Sequence, residues 1–423
     1  MMSATVGFAG LTHLGLVSAA AAAAKGLTVI GVDADAARVA AIQAGQPMVH
    51  EPGLGTLLHD NAARLELSTD FAALTRCGVV FIAADVPTDE GGVSDLAPID
   101  DLVARVVQVL APDAVLVVLC QVPPGYTRRL AVPPPRRFYQ VETLVFGRAV
   151  ERALAPERFI VGCADPGAPL PSAYQAVLTK FGCPVLPMRY ESAELAKIAI
   201  NCCLVASVSV ANTLAELSEQ IGADWAEIAP ALRLDRRIGA HAYLAPGLGI
   251  AGGNLQRDLA TVRRLAAKTG SDAGVIDAFL ANSRHRRDWA LRCLHREVLT
   301  QKADAVIGVL GLAYKENTNS IANSPALALI SALGPWAVRV FDPAVQASTA
   351  QHPRLHAATS ALDAAKGADA VAMMTPWPEF AKLAPAELAR AMRGKVMVDP
   401  YRVFDPTAVA AAGLRHFTLG RGA

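Results

Sequence analysis

Residues 5–33 read TVGFAGLTHLGLVSAAAAAAKGLTVIGVD, and this stretch decides the fold. Residues 5–8 are a short apolar run with strand character. Gly10, Thr12 and Gly15 follow in a turn, then an Ala-rich helix over about residues 14–25, then Gly26. A second apolar run over 28–32 ends on Asp33. Strand, glycine-bearing turn, helix, strand and terminal acid form the opening of a dinucleotide-binding βαβ unit. In such a unit the N–H groups at the helix start face a diphosphate, and the acid takes the ribose hydroxyls. No Arg directly follows Asp33, which favours NAD over NADP. The fingerprint is imperfect. It asks for G-x-G-x-x-G, and the chain has Gly10-Leu11-Thr12-His13-Leu14-Gly15. A β-branched Thr12 in place of the middle glycine is expected to crowd the diphosphate. Taken alone, the turn fits an unliganded βα connection as well as it fits a cofactor site.

The alternation continues outward. Apolar runs at 78–83 and 114–119 end in Asp85-Val86-Pro87-Thr88-Asp89 and in Gln121-Val122-Pro123-Pro124-Gly125. Parallel strands whose carboxyl ends open into ligand loops have this appearance. A Pro-rich connection over 131–137 leads to Gln140-Val141-Glu142-Thr143 and then to 156–162. Residues 191–222 read as one long helix, with no Pro, no internal Gly, and Gly222 where a C-cap belongs. From 198 to 215 it carries no charge, so most of its circumference is expected to be buried. Glu194, Lys197 and Asn201 recur at i, i+3 and i+7, on one face. They either close a salt bridge, with Glu194 and Lys197 the simplest pair, or line a site.

The chain then stays helical to about residue 300, except for a loop over 236–258. That loop holds Gly239, Gly247, Gly249, Gly252 and Gly253, a density typical of close approach to an anion or substrate. A second αβ run begins near 305, with apolar runs at 305–310, 337–341, 368–374 and 396–399 and short loops after them. The fold class read from this pattern is α/β, with two Rossmann-like domains joined by a long central helix and a helical middle domain. The boundaries fall at 1–188, 189–300 and 301–423.

Composition excludes several classes. The chain has 423 residues, 53% of them hydrophobic and 18% charged, so it is globular rather than disordered. A net charge of +1 gives no electrostatic case for nucleic acid or an anionic membrane. Seven cysteines, an odd number without C-x-x-C spacing, suit reduced thiols in a cytoplasmic protein. The uncharged stretches 4–24 and 198–215 are interrupted by glycines or polar residues and read as soluble core.

The order of motifs resembles the UDP-glucose/GDP-mannose dehydrogenase family along nearly the whole chain. Its carriers are Gly10 to Gly15 with Asp33, Glu51-Pro52-Gly53-Leu54, Pro87-Thr88-Asp89 and Val122-Pro123-Pro124-Gly125. Further on come Pro156-Glu157-Arg158, Glu194 with Lys197 and Asn201, Arg237-Ile238-Gly239, Gly252-Gly253 with Asp258, and 311–315. The resemblance implies an NAD-dependent enzyme that oxidises the C6 alcohol of a nucleotide sugar, UDP-glucose first, for polysaccharide precursors. It also implies a homodimer built on the long helix. The three domains then become NAD-binding, dimerising and UDP-binding. Position by position, Lys197 and Asn201 match the family's active-site lysine and amide. Glu142 matches a glutamate suited to acid–base work, and Asp258 the aspartate that closes the glycine loop. Gly10, Thr12, Leu14, Gly15, Asp33, Val86 and Gln121 fall at cofactor positions. Tyr243, Gly249, Arg237, Lys315 and Arg402 fall at substrate positions, Arg237 being supplied by the partner subunit. No residues are assigned to a metal.

The departures matter as much. Asn254 stands at the family's cysteine position, and an amide is not a nucleophile at neutral pH. Val86 and Gln121 replace threonines, and Phe146 replaces a second glutamate. The expectation is therefore oxidation without a covalent thioester step, and the alternative is a redox-silent nucleotide-sugar binding or regulatory protein. Cys202 and Cys203, beside Asn201, are expected to be inert buried thiols.

Overall fold

The computed structural model describes residues 5–89 and 91–422. The chain divides into two compact units, Met1–Ile200 and Asn201–Ala423.

The first unit is built on β1 (Thr5–Ala9), β2 (Thr28–Val32), β3 (Leu65–Ser68), β4 (Val79–Ile82), β5 (Val115–Val118), β6 (Arg137–Gln140), β7 (Phe159–Cys163) and β8 (Val185–Arg189). They form one sheet in the order β3-β2-β1-β4-β5-β6-β7-β8. All neighbours are parallel except β6 and β7. The first six strands thus have the doubly wound 3-2-1-4-5-6 order, whose switch point opens beside β1 and β4. Their Val, Ile and Phe side chains alternate between two apolar clusters, one on each face of the sheet.

The second unit repeats the winding. Strands β9 (Val306–Leu310), β10 (Ala337–Phe341), β11 (Leu355–Ala357), β12 (Ala370–Met373), β13 (Val396–Val398) and β14 (Arg415–Phe417) lie in the order β11-β10-β9-β12-β13-β14. Every pair is parallel. Ahead of this sheet come the helices Trp225–Leu234, Asn254–Thr269 and Gly274–Arg287. The strands expected from the sequence are present to within one or two residues. The reading missed β3, β11 and β14, edge or near-edge strands of three or four residues with little apolar character. It also placed no strand at β6, which begins where the Pro-rich connection ends.

The βα turn after β1 is tight for a steric reason. Gly10 has φ +90°, and a Cβ on Gly15 would lie 1.8 Å from the Gly10 carbonyl oxygen. The opening helix His13–Ala24 can therefore start against β1 only with glycine at both ends of the turn. Gly15→Ala is expected to lower stability by about 2 kcal/mol or more, or to yield insoluble protein. Urea titration of the variant against wild type checks this.

The long helix runs Tyr190–Ile221, and the boundary between the units falls within it. It is the one helix among the described residues long and apolar enough to cross a membrane. One expectation about it fails. Val210, Leu214, Leu217 and Ile221 are 40–66% exposed. Their spacing of four, three and four puts them on one stripe. Inside the uncharged stretch the chain's own core covers Ile198, Val205, Ala211 and Ala215 but leaves Val210 and Leu214 uncovered, and the stripe continues beyond it through Leu217 and Ile221.

Candidate functional site

In the first unit the sequence brings a lysine and a glutamate together. Lys197 lies two turns into the long helix, and its Nζ is 2.6 Å from Glu142 Oε1. Both side chains are about nine-tenths buried. The Leu144 N–H donates to Glu142 Oε2 at 2.8 Å and fixes the carboxylate from the other side. The simple pair of Lys197 with Glu194 is not formed. Glu194 instead accepts the N–H groups of Gly125 (2.5 Å) and Thr127 (2.8 Å) in the loop after β5. Burial raises its pKa, the donors of Thr127 and Gly125 lower it, and burial wins. Lys197 is thus left to Glu142.

In the second unit Asn201 and Asp258 meet. Asn201 Nδ2 donates to Asp258 Oδ2 at 2.5 Å, and both residues are buried. Arg257 Nε lies 3.6 Å from Asp258 Oδ1. Asn254 is the first residue of the helix Asn254–Thr269, exposed, one turn before Asp258 on the same face. Neither Cys202 nor Cys120 is an activated thiol. Burial, then the Asp258 carboxylate, push the Cys202 thiol up to about 11, and burial pushes Cys120 up to about 12. At neutral pH both are protonated and poor nucleophiles. Burial, expected of both helix cysteines, fails for Cys203, which is exposed, and is only partial for Cys202.

The glycine loop ahead of Asn254 is held by the second unit's own residues. The Gly247 N–H donates to Asn212 Oδ1 and the Ile250 N–H to Ser283 Oγ. Gly249 has φ +79°, and a Cβ there would lie 2.4 Å from the Ser283 carbonyl oxygen. The Gly252 N–H donates to the Ala322 carbonyl, and Asn323 Nδ2 donates to the Gly252 carbonyl. This ties the loop to the segment that carries Lys315. Tyr243 is half exposed. Arg237 lies on the surface, paired with Asp235 at 2.6 Å. Arg402 has φ +51° and pairs with Asp224 at 2.6 Å.

The turn after β1 holds the terminal acid and the two outer glycines of the fingerprint. Asp33, at the end of β2, accepts the Leu11 N–H at 2.7 Å, so the acid is locked to the turn. Arg38 Nη1 lies 2.8 Å from both Asp33 oxygens, an arginine five residues on that the reading passed over. The Leu14 side chain is in the core. Val86 is also core, packed in a cluster with Ile99 and Val103. Gln121 is buried. The Thr12 hydroxyl accepts the Asp85 N–H at 2.8 Å. Acid and turn fit a dinucleotide. His13 is buried, its Nε2 is 3.0 Å from Glu51 Oε2, and its ring stacks on Phe146 at 4.1 Å, so it is a packing residue of the turn. Glu51 also accepts the N–H groups of Gly147 and Ala149. The segment that begins at Glu142 is thereby pinned to the cofactor turn.

Two doubly wound sheets, one opening on a dinucleotide turn beside a buried Lys–Glu pair, define a dehydrogenase of the two-nucleotide-fold class. Residues 4–172 match the NAD binding domain of the UDP-glucose/GDP-mannose dehydrogenase family, 191–284 its central domain and 308–406 its UDP binding domain. The chain is 30% identical to the UDP-glucose 6-dehydrogenase of Pseudomonas aeruginosa, over 97% of this chain and 96% of that one. A UDP-glucose dehydrogenase from Pyrobaculum islandicum superposes with a TM-score of 0.86, at 26% identity, over 100% of this chain and 98% of that one. The UDP-D-ManNAc dehydrogenase of Pyrococcus horikoshii, at 23% identity and a TM-score of 0.85, shares the fold over 99% of each chain. The chain belongs to the UDP-glucose/GDP-mannose dehydrogenase family, as an NAD-dependent nucleotide-sugar dehydrogenase.

Proposed function

We propose that this protein oxidises the C6 alcohol of a UDP-sugar, UDP-glucose being the first candidate, by a route that forms no thioester. The observation that carries this reading is a buried Lys197–Glu142 pair kept in a chain whose cysteine position is Asn254. Glu142 accepts the hydroxyl proton as the carbinol carbon gives up a hydride. Lys197 holds the oxygen while negative charge develops on it, and Asn201, oriented by Asp258, adds an N–H donor. Bound NAD supplies the hydride acceptor. The products of one turn are the aldehyde, reduced cofactor and a proton. A second oxidation requires the aldehyde hydrate, with water activated by Glu142 or Asp258. Purified protein with NAD and a panel of UDP-, GDP- and dTDP-sugars tests the reading at the reduced-nicotinamide absorbance. Silence with every sugar would sink it.

A second reading, a redox-silent nucleotide-sugar binding protein, draws on Asn254 together with the occupied helix start at Thr12 and Asp85. Micromolar binding of NAD in calorimetry argues against it, and binding of sugar nucleotide alone favours it.

The division 1–188, 189–300 and 301–423 into NAD-binding, dimerising and UDP-binding parts belongs to the same proposal. So do a cytoplasmic location and a role in polysaccharide precursor synthesis. A homodimer through the long helix is supported by the uncovered stripe Val210, Leu214, Leu217 and Ile221. Such a stripe is larger than scattered surface apolar residues, which supports an interface there. Leu217→Arg is expected to shift the protein from dimer to monomer in light scattering after gel filtration. An unchanged mass would rule the stripe out.

A further inference from the structure

We propose that Asp85 is a resident acid on the diphosphate seat, anchored by Thr12, and that the dinucleotide must displace it to bind. This rests on the reading of the Gly10–Gly15 turn as a dinucleotide site. The start of the opening helix is where such a turn offers bare N–H groups to an anion. Here part of that offer is already taken up. The Leu14 N–H faces Asp85 Oδ2 at 3.4 Å. Thr12 is the N-cap residue, yet its side chain makes no capping bond to its own helix. Its hydroxyl accepts the Asp85 N–H instead, across 73 residues of sequence.

The placement follows from packing. Gly10 lies so close to the β4 loop that a Cβ on it would sit 2.7 Å from Ala84 Cβ and 2.9 Å from the Ala84 nitrogen. The residue after Ala84 is therefore set beside the turn, and the threonine that departs from the glycine fingerprint holds its backbone there. Departure from the fingerprint and acid at the helix start are one feature. The threonine fixes a carboxylate at the seat.

A carboxylate at the helix start uses the field that would otherwise bind the diphosphate, and it repels that diphosphate's charge. Asp85 is exposed, so it can swing into solvent when a ligand enters. The consequence is a weakened, charge-selective cofactor site. A ligand that places no charge at the helix start is not affected by Asp85.

Calorimetry on the full-length protein tests this with three probes: NADH, ADP-ribose and adenosine. Asp85→Asn is expected to bind NADH and ADP-ribose roughly fivefold or more tightly than wild type, with adenosine unchanged. The gain is expected to shrink as salt is raised, because the repulsion acts between exposed charges. Thr12→Val, which removes the anchor but keeps the shape, is expected to move affinity in the same direction by less. The proposal is overturned if Asp85→Asn melts like wild type and binds ADP-ribose within twofold of it, or more weakly. It is also overturned if adenosine gains as much as ADP-ribose, since the effect is then not one of charge. If neither protein binds NADH, the cofactor reading itself falls and takes the proposal with it. NADH binding that is equal in both proteins removes the proposal alone.

Discussion

Lys197→Ala lowers turnover by about a hundred- to a thousandfold while leaving sugar-nucleotide affinity within a fewfold of wild type. The rate effect follows from losing a positive donor at an oxygen whose charge grows only in the transition state. The affinity is spared because the nucleotide carries most of the binding groups. The substitution also has a structural cost that must be separated from the kinetic one. Glu142 is about nine-tenths buried and its Oε1 faces the ammonium at 2.6 Å. Removing Lys197 alone leaves a buried carboxylate that keeps the Leu144 N–H but loses its counter-charge, which costs about 3–5 kcal/mol. The double variant Lys197→Met with Glu142→Gln removes both charges and is expected to recover most of that stability. It should recover none of the rate. Urea titration and single-turnover kinetics on the two proteins distinguish the effects. A double variant that turned over near the wild-type rate would show that the pair only holds the fold together.

How far the sequence could be read depends on the range of the contact. The repeated doubly wound pattern was legible because each strand announces itself within five residues, as β1, β2 and β9 do. The short strands β11 and β14 carry Leu-His-Ala and Arg-His-Phe, which no periodicity marks. Lys197, Asn201 and their shared helix face were legible from spacing alone. Their partners were not, because Glu142 lies 55 residues from Lys197 and Asp258 lies 57 from Asn201. The reading therefore offered Glu194 for Lys197, a neighbour in sequence whose carboxylate is in fact taken by two backbone N–H groups of the β5 loop. Glu51 is the same kind of case. Its bonds reach His13 and, 98 residues on, Ala149. The misjudged stripe on the long helix has a different origin. Absence of charge predicts burial, and sequence does not say whether the cover comes from the same chain.

Asn254→Cys is expected to convert the enzyme from one reduced cofactor per sugar to two, with the product gaining an oxygen. The position is chemically prepared for a thiol. Residue 254 opens a 16-residue helix, is exposed, and has Asp258 one turn later on the same face. The partial positive charge at a helix start lowers a thiol's pKa toward neutrality, which the wild-type cysteines do not share. Burial and the neighbouring acid hold Cys202 at about 11, so its sulfur stays protonated. A thiolate at 254 would add to the aldehyde carbon, and the resulting hemithioacetal would give up a second hydride to become a thioester. Water would then release the acid and return the thiol. The wild-type amide can perform none of these steps, and its aldehyde must either leave or hydrate. The ratio of reduced cofactor to sugar consumed, with the product mass, measures the difference directly. Loss of two hydrogens alone marks the wild-type product, and a net gain of one oxygen with loss of two hydrogens marks that of the variant. If the wild type already yields two reduced cofactors per sugar, hydration replaces the sulfur completely, and Asn254 then lies outside the reaction it was placed in.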